Sequence, residues 1–318
     1  MFTRDELFEA RRQIHQVFAG TPQYAWPLLA ERTGAAVWVK HENHTPIGAF
    51  KLRGGLIHLG RVAREGLAPN GLISATRGNH GKSLAYAGRK YGVPVTIVVP
   101  TGNSAEKNDA MRAQGARLIE HGADFDAARV EAMRLARQDG LYFAPSFHRD
   151  LVLGVSTWAL ELFEAAPGLD ILYVPIGMGS GICGAILARD LLGVKIEIVG
   201  VQSEGAPSYA LSFKAGKVVE TNSADTKADG LATRVPDPAA LAIILKGASH
   251  IVTVSDEEVA DAVRAYWTDT HNLAEGAGAA PLAALLKERD RIAGRTVGIP
   301  LTGGNIDLAL FRNWVMGA

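Results

Sequence analysis

Short runs rich in valine and isoleucine alternate with amphipathic stretches along most of this 318-residue chain. Such runs predict strands over residues 36–40, 71–76, 95–100, 116–120, 141–145, 171–176, 196–202, 251–254 and 297–301. Helical periodicity predicts helices over 5–18, 79–91, 104–114, 123–138, 150–166, 181–192, 256–271 and 278–290, with a loop over 22–27. Ser255 and Glu258 form a capping-box signature at one helix start. Apolar strands that alternate with helices indicate an α/β protein whose parallel sheets are covered on both faces.

The composition limits the kinds of molecule that the protein is expected to bind. The chain has 33 basic and 33 acidic side chains, so charge favours neither nucleic acid nor a membrane as a partner. Its hydrophobic fraction of 47% is enough for a large core in two subdomains. Cys183 is the only cysteine, which excludes an intrachain disulfide and indicates a reducing compartment, by default the cytoplasm. No export signal or membrane span is apparent, and a small-molecule ligand is expected.

Lys51 is the first candidate for chemistry. It follows Phe50 and precedes Arg53 in the segment from Asn43 to Gly55, at a predicted junction of loop and helix. A lysine in an apolar pocket has a lowered pKa, and its neutral amine can then form a Schiff base with a carbonyl. An isolated Phe-Lys pair is more often a surface feature, so the assignment depends on the other motifs.

A glycine-rich segment, Gly177–Gly181, follows the predicted strand 171–176 and precedes a helix. Glycines allow several backbone N–H groups to converge on an anion, and a helix N-terminus adds its positive dipole end. A tight strand-to-helix turn would have the same sequence. A dinucleotide site is disfavoured, because the segment lies past mid-chain and no acidic residue ends the next strand. A smaller phosphate-bearing cofactor fits better.

Two further segments follow predicted strands. Thr76–Gly81 begins a helix and offers backbone amides, the Asn79 amide and Arg77 for a carboxylate, although a capped helix start is an equal interpretation. Thr302 follows the last strand and carries a hydroxyl. Because ligands of open α/β sheets bind at the carboxyl ends of strands, all these segments are expected to face one crevice.

Taken together, the segments resemble the fold-type II pyridoxal phosphate enzymes, most closely the branch of serine/threonine dehydratases that includes serine racemase. The likeness extends from about Lys40 to Asp307, with the motifs in order. It implies the fold of the tryptophan synthase β-subunit, with two three-layer open twisted subdomains and mostly parallel sheets. It also implies a large cofactor-binding domain of residues 1–70 and 147–318, a small inserted domain of residues 71–146, no C-terminal regulatory domain, and a homodimer.

The resemblance assigns roles to particular residues. Lys51 forms the Schiff base, Asn79 lies beside the 3′ oxygen of the cofactor, and Thr302 bonds its ring nitrogen. The cofactor-binding residues implied are Phe50, Lys51, Asn79, Gly177, Met178, Gly179, Ser180, Gly181, Gly230, Glu275 and Thr302. The substrate-binding residues implied are Thr76, Arg77, Gly78, Asn79 and His80.

Three departures from the family pattern matter. Arg77 replaces the serine that acts as acid and base in the racemases, and a guanidinium is a poor proton shuttle, so racemisation is disfavoured. Met178 and Ser180 interrupt the tetraglycine phosphate loop but keep its backbone donors. Gln202 and Ser208 stand where the family has the acidic ligands of a divalent metal, so no metal site is expected there, although Glu204 is close by.

The expected activity is β-elimination of water from a 3-hydroxy amino acid, which yields a 2-oxo acid and ammonia. Threonine or serine is the default substrate. Arg77 could strengthen binding of the α-carboxylate, or it could face a polar group at Cβ, as in 3-hydroxyaspartate. A β-aryl substrate such as phenylserine is also compatible. An amino acid racemase and a non-catalytic ligand-binding module are weaker alternatives, the latter because Lys51 is retained.

Overall fold

The computed structural model describes residues 1–317, which form two sheets surrounded by helices. The strands are β1 (Gln23–Ala25), β2 (Ala36–His41), β3 (Leu72–Ala75), β4 (Val95–Val99), β5 (Arg117–Glu120), β6 (Tyr142–Phe143), β7 (Ile171–Pro175), β8 (Glu197–Ser203), β9 (His250–Val254) and β10 (Thr296–Leu301). The helices are α1 (Arg4–His15), α2 (Pro27–Thr33), α3 (Lys51–Arg64), α4 (Asn79–Tyr91), α5 (Ala105–Ala113), α6 (Phe125–Asp139), α7 (Arg149–Ala165), α8 (Ser180–Leu192), α9 (Ser208–Ala215), α10 (Pro238–Gly247), α11 (Asp256–Thr270), α12 (Gly276–Lys287), α13 (Arg289–Ile292) and α14 (Leu308–Leu310).

The larger sheet has six strands in the order β1-β2-β10-β7-β8-β9. All its pairs are parallel except β1 with β2. Every residue of β7 is buried, and successive residues enter different cores: Leu172 and Val174 belong to one apolar cluster, Ile171 and Tyr173 to another. A strand covered on both faces needs apolar side chains at every position, which explains the uninterrupted Val/Ile runs.

The smaller sheet has four parallel strands in the order β5-β4-β3-β6. All four strands lie between residues 72 and 143, so one continuous segment of the chain builds this sheet. Helix α6 packs its alanines, Ala128, Ala132 and Ala136, into a cluster with β3 and β4 residues. The small side chains allow the helix to lie close to the sheet.

The structure confirms the predicted α/β class and the strand-helix alternation. Ser255 and Glu258 form the predicted capping box at the start of α11. The predicted loop over 22–27 is wrong in part, because Gln23–Ala25 forms β1, which pairs antiparallel with the end of β2. A strand of three residues is too short to show a hydrophobic pattern in the sequence, and β1 forms only because it pairs with β2. No helix in residues 1–317 is long and apolar enough to cross a membrane.

A buried ionic cluster fixes the start of α3. Arg53 is fully buried; its guanidinium donates to Glu42 Oε2 at 2.7 Å and to Glu161 Oε1 at 2.7 Å. Lys40 Nζ, also fully buried, donates to Glu161 Oε2 at 2.6 Å. The charges of two cations and two carboxylates therefore neutralise one another in this cluster, which links β2, α3 and α7. Its central residue, Arg53, lies two residues after Lys51.

Candidate active site

One cavity of about 470 Å³ lies where the strands of both sheets end. All fifteen residues assigned to cofactor or substrate by the sequence line it, namely Phe50, Lys51, Thr76, Arg77, Gly78, Asn79, His80, Gly177, Met178, Gly179, Ser180, Gly181, Gly230, Glu275 and Thr302. Because parallel strands direct their following loops to one edge, segments more than 200 residues apart in sequence meet here.

Lys51 is the first residue of α3 and points across the cavity to the glycine-rich loop. Its Nζ donates to Ser180 Oγ at 2.9 Å and lies 4.8 Å from the centre of the Phe50 ring. Burial lowers the pKa of the amine to about 8, against the opposing effect of the Glu275 carboxylate. About a tenth of Lys51 is therefore neutral and nucleophilic at pH 7, far more than for a lysine with its ordinary pKa of 10.5.

The loop Gly177–Gly181 connects β7 to α8 and has the form of an anion cradle. The first helical hydrogen bond runs from the Cys183 N–H to the Gly179 carbonyl, so the preceding amides of the loop have no backbone acceptor within residues 1–317. Gly179 has φ of 95°, which favours glycine, and a Cβ on Gly177 would lie 2.2 Å from the Gly230 carbonyl oxygen. Glycine is therefore needed at positions 177 and 179, and the free amides at the helix N-terminus suit a phosphate group.

The segment Thr76–His80 connects β3 to α4. The Thr76 hydroxyl accepts the Gly78 N–H at 3.1 Å. The Asn79 amide donates to both oxygens of Glu275 at 2.8 and 3.0 Å, and its oxygen accepts from Asn305 at 2.7 Å. Asn79 therefore ties this loop to the residue preceding α12 and to the segment following β10, and these bonds fix the orientation of its side chain in the cavity wall.

Glu275 and Thr302 close the inner end of the cavity. Burial and the nearby Asp229 carboxylate raise the pKa of Glu275 to about 7, although the Asn79 amide opposes this. A Cβ on Gly303 would lie 2.5 Å from Glu275 Oε1, so glycine is needed beside this carboxyl group. Thr302 is buried directly after β10, and its carbonyl accepts the Phe50 N–H at 2.9 Å, which fixes the residue preceding Lys51.

His80 is neutral in this environment. Burial and the charge of Lys51 lower the pKa of its imidazole to about 3. Its Nε2 is buried and has no hydrogen-bond partner in the part of the chain that the structure describes. A small cavity of about 10 Å³ lies between His80, Lys51, Ser146 and Ser180.

Several charged residues of the cavity wall carry no sequence motif and were not predicted. Lys107 of α5 pairs with Asp229 at 2.5 Å, and Arg234 pairs with Asp126 at 3.3 Å. Arg129 of α6 also lines the cavity. These residues lie in ordinary helical or loop sequence, and only Asp229 had a signal, its position beside Gly230.

The positions at which the family has metal ligands make other contacts here. Gln202 Oε1 accepts the Ala210 N–H at 2.8 Å, and the Ser208 hydroxyl donates to the Thr233 carbonyl at 2.7 Å. The Glu204 carboxylate accepts from Lys287 Nζ at 3.1 Å. The side-chain oxygens of Gln202 and Ser208 are thus engaged by the backbone.

A buried lysine of lowered pKa beside a glycine-rich loop with free amides is typical of a lysine-based enzyme with a phosphate-bearing carbonyl cofactor. The model of the family described as pyridoxal-phosphate dependent enzyme matches residues 14–303, and the chain belongs to this family. The cofactor is pyridoxal 5′-phosphate, and the free amides of Gly177–Gly181 fit its phosphate.

Relatives and solved structures agree with this assignment. An L-threonine ammonia-lyase from Thermotoga maritima is 33% identical over 312 residues, which cover 97% of this chain and 77% of the relative. An L-threo-3-hydroxyaspartate ammonia-lyase from Saccharomyces cerevisiae is 30% identical over 316 residues, which cover 99% and 97%. The processed form of threonine deaminase isoform 2 from Solanum lycopersicum has a TM-score of 0.90 at 28% identity, covering 100% of this chain and 94% of that structure.

Proposed function

We propose that the enzyme removes water from a 3-hydroxy amino acid and yields a 2-oxo acid and ammonia. The observation that carries this proposal is the contact between Lys51 Nζ and Ser180 Oγ at 2.9 Å, which joins a reactive amine to the phosphate cradle. The curated relatives support the reaction class, since both are named as ammonia-lyases and their substrates share a hydroxyl group at Cβ.

Lys51 is the residue that binds the cofactor and moves the proton. Pyridoxal phosphate supplies a carbonyl for the substrate amino group and an electron-withdrawing ring that acidifies Cα. The Lys51 amine, once released, takes the proton from Cα. Its lowered pKa makes the unprotonated amine far more abundant near neutral pH than in an ordinary lysine.

Other residues orient cofactor and substrate. The amides of Gly177–Gly181 would hold the phosphate, and the Thr302 hydroxyl would bond the ring nitrogen without the full negative charge that would hold a proton there. The amides of Thr76–His80 would bind the α-carboxylate. Phe50 packs beside Lys51, and Asn79, fixed by Glu275, would contact the cofactor.

The direct test is Lys51→Ala. We expect loss of the absorbance near 410 nm, about where the protonated Schiff base of this cofactor absorbs, and loss of 2-oxo acid release by at least about a thousandfold. Lys90→Ala removes an exposed lysine of α4 and should retain both properties. A Lys51→Ala enzyme with normal turnover would contradict the assignment.

A racemase is the less favoured alternative. Arg77 occupies the position of the second acid and base, and a guanidinium stays protonated at all physiological pH values. Loss of optical rotation in a serine solution without 2-oxo acid formation would support the racemase instead.

We also propose the domain boundaries, the oligomeric state and the cellular location of the enzyme. Residues 71–146 form a small domain inserted between residues 1–70 and 147–318, which is supported by the continuous segment that builds the four-stranded sheet. The resemblance to the dehydratase branch supports a homodimer. The single cysteine supports a cytoplasmic location, because no intrachain disulfide is possible.

A further inference from the structure

Two arginines in the active-site cavity have no hydrogen-bond or ion-pair partner among the residues that the structure describes. We infer that Arg77 and Arg129 bind a second carboxylate, carried on Cβ of the substrate, so that the enzyme prefers a 3-hydroxyaspartate-type dianion to threonine or serine. This inference rests on the proposed dehydratase function and specifies its substrate class.

The other charged side chains of the cavity wall all have partners, which sets Arg77 and Arg129 apart. Lys107 pairs with Asp229, and Arg234 pairs with Asp126. The remaining charged groups also have partners: Lys51 bonds Ser180, Glu275 bonds Asn79, and Asp124 accepts the Ala127 N–H as the N-cap of α6. Within residues 1–317, Arg77 and Arg129 are the cavity-lining charges that have neither a hydrogen bond nor an ion pair.

Both arginines come from the side of the cavity built by the small sheet. Arg77 follows β3 directly, and Arg129 lies in the second turn of α6, the helix packed against β3. The phosphate cradle belongs to the larger sheet. The cavity therefore has a phosphate site on the side of the larger sheet and two free guanidinium groups on the side of the smaller one.

The α-carboxylate does not require these guanidinium groups. The segment Thr76–His80 supplies backbone amides at the N-terminus of α4, which suffice for one carboxylate. Arg77 and Arg129 are both exposed, so each keeps its hydration until a ligand arrives. A planar guanidinium matches a carboxylate in a bidentate geometry, whereas the methyl group of threonine offers it no acceptor.

The test compares kcat/KM for L-threonine, L-serine and the isomers of 3-hydroxyaspartate, measured as 2-oxo acid release. We expect the wild-type enzyme to prefer a 3-hydroxyaspartate isomer. Arg77→Gln and Arg129→Gln should each lower kcat/KM for that substrate about 10- to 100-fold, the range expected for one charge-assisted hydrogen bond, and should lower kcat/KM for threonine by a much smaller factor. Arg77→Lys retains the positive charge but not the bidentate guanidinium group, and its kcat/KM for 3-hydroxyaspartate should lie between those of the wild type and Arg77→Gln.

Arg137→Gln is the matched control. Arg137 lies in the same helix as Arg129, is exposed and does not line the cavity, so its removal changes the net charge equally. We expect this variant to retain the wild-type ratio of kcat/KM for 3-hydroxyaspartate to kcat/KM for threonine.

Binding measured without turnover gives a second readout. Aspartate and alanine lack a β-hydroxyl and differ in the second carboxylate. By calorimetry on the holoenzyme, aspartate should bind at least about tenfold more tightly than alanine, and Arg77→Gln and Arg129→Gln should each reduce this difference.

Three results would overturn the inference. Wild-type preference for threonine or serine would refute it and leave the dehydratase function standing. An equal loss for all substrates in Arg77→Gln would place Arg77 on the α-carboxylate instead. Absence of 2-oxo acid from every 3-hydroxy amino acid would refute the dehydratase function itself, and the inference with it.

Discussion

Replacing Glu161 with Gln should destabilise the protein strongly, although Glu161 lies outside the active-site cavity. Its carboxylate accepts from Lys40 Nζ at 2.6 Å and from two nitrogens of Arg53 at 2.7 and 2.8 Å. Glutamine has nearly the same shape but no charge. The variant would leave two buried cations with Glu42 as their one buried counter-charge.

The magnitude follows from two independent estimates. Removal of one partner from a buried ion pair typically costs about 3–5 kcal/mol. Burial raises the pKa of Glu161, but the charges of Arg53 and Lys40 lower it from 4.5 to about 2. That difference corresponds to about 3 kcal/mol of stability at about 1.4 kcal/mol per pH unit. Both estimates therefore give at least about 3 kcal/mol.

The pH dependence has a defined sign. A carboxylate whose pKa is lower in the folded state stabilises the fold fully above its unfolded pKa of 4.5 and loses this contribution as the pH falls toward 2. The difference in unfolding free energy between the wild type and Glu161→Gln should therefore be largest near pH 7 and should narrow below pH 4.5.

Urea unfolding followed by tryptophan fluorescence measures this difference. Glu164→Gln is the control, because Glu164 lies in the same helix and pairs with Arg11 at 2.5 Å, but its side chain is 46% exposed. Surface pairs contribute about 0–1 kcal/mol. If Glu161→Gln lost less than about 1 kcal/mol at pH 7, or no more than Glu164→Gln, the reasoning would be refuted.

Two further predictions concern the cofactor. Gly177→Ala would place its Cβ 2.2 Å from the Gly230 carbonyl oxygen, so the loop must shift. The Kd for pyridoxal phosphate, measured by equilibrium titration, should then rise at least about tenfold. Gly168→Ala is the control, because its Cβ would meet no atom within 4 Å, and it should bind the cofactor normally. Because the Lys51 pKa is about 8, the rate at which the apoenzyme takes up the cofactor, followed by absorbance, should rise about tenfold per pH unit below pH 8 and level off above it. A flat profile from pH 6 to pH 9 would show that deprotonation of Lys51 does not limit this step.

Much of the fold and the site could be predicted from local patterns. The strand that ends at Pro175 is apolar at every position, and the glycines of Gly177–Gly181 mark the cradle that follows it. A backbone path that only glycine can follow leaves a direct trace in the sequence. Lys51 and Thr302 were located in the same way, by their places beside predicted strand or helix ends.

The ionic cluster could not be predicted in this way. Glu161 is 108 residues from Arg53 and lies in a largely apolar helix, where a glutamate carries no signal of its partner. Lys107 and Asp229, 122 residues apart, are a similar case in the cavity wall. Pairs of this kind depend on distances between elements, which periodicity does not encode.

The sequence by itself therefore determined the α/β class and located Lys51 and the glycine-rich loop that we propose to bind the cofactor, because each is specified by residues close together in the chain. Only the tertiary structure decided which charges in the cavity are neutralised by neighbours and which are left for a ligand. Arg77 and Arg129 look like any other arginines in the sequence, and they differ from Arg234 because neither forms an ion pair with a carboxylate of the described residues. Charge compensation acts through space, so the folded arrangement alone decides where it is incomplete.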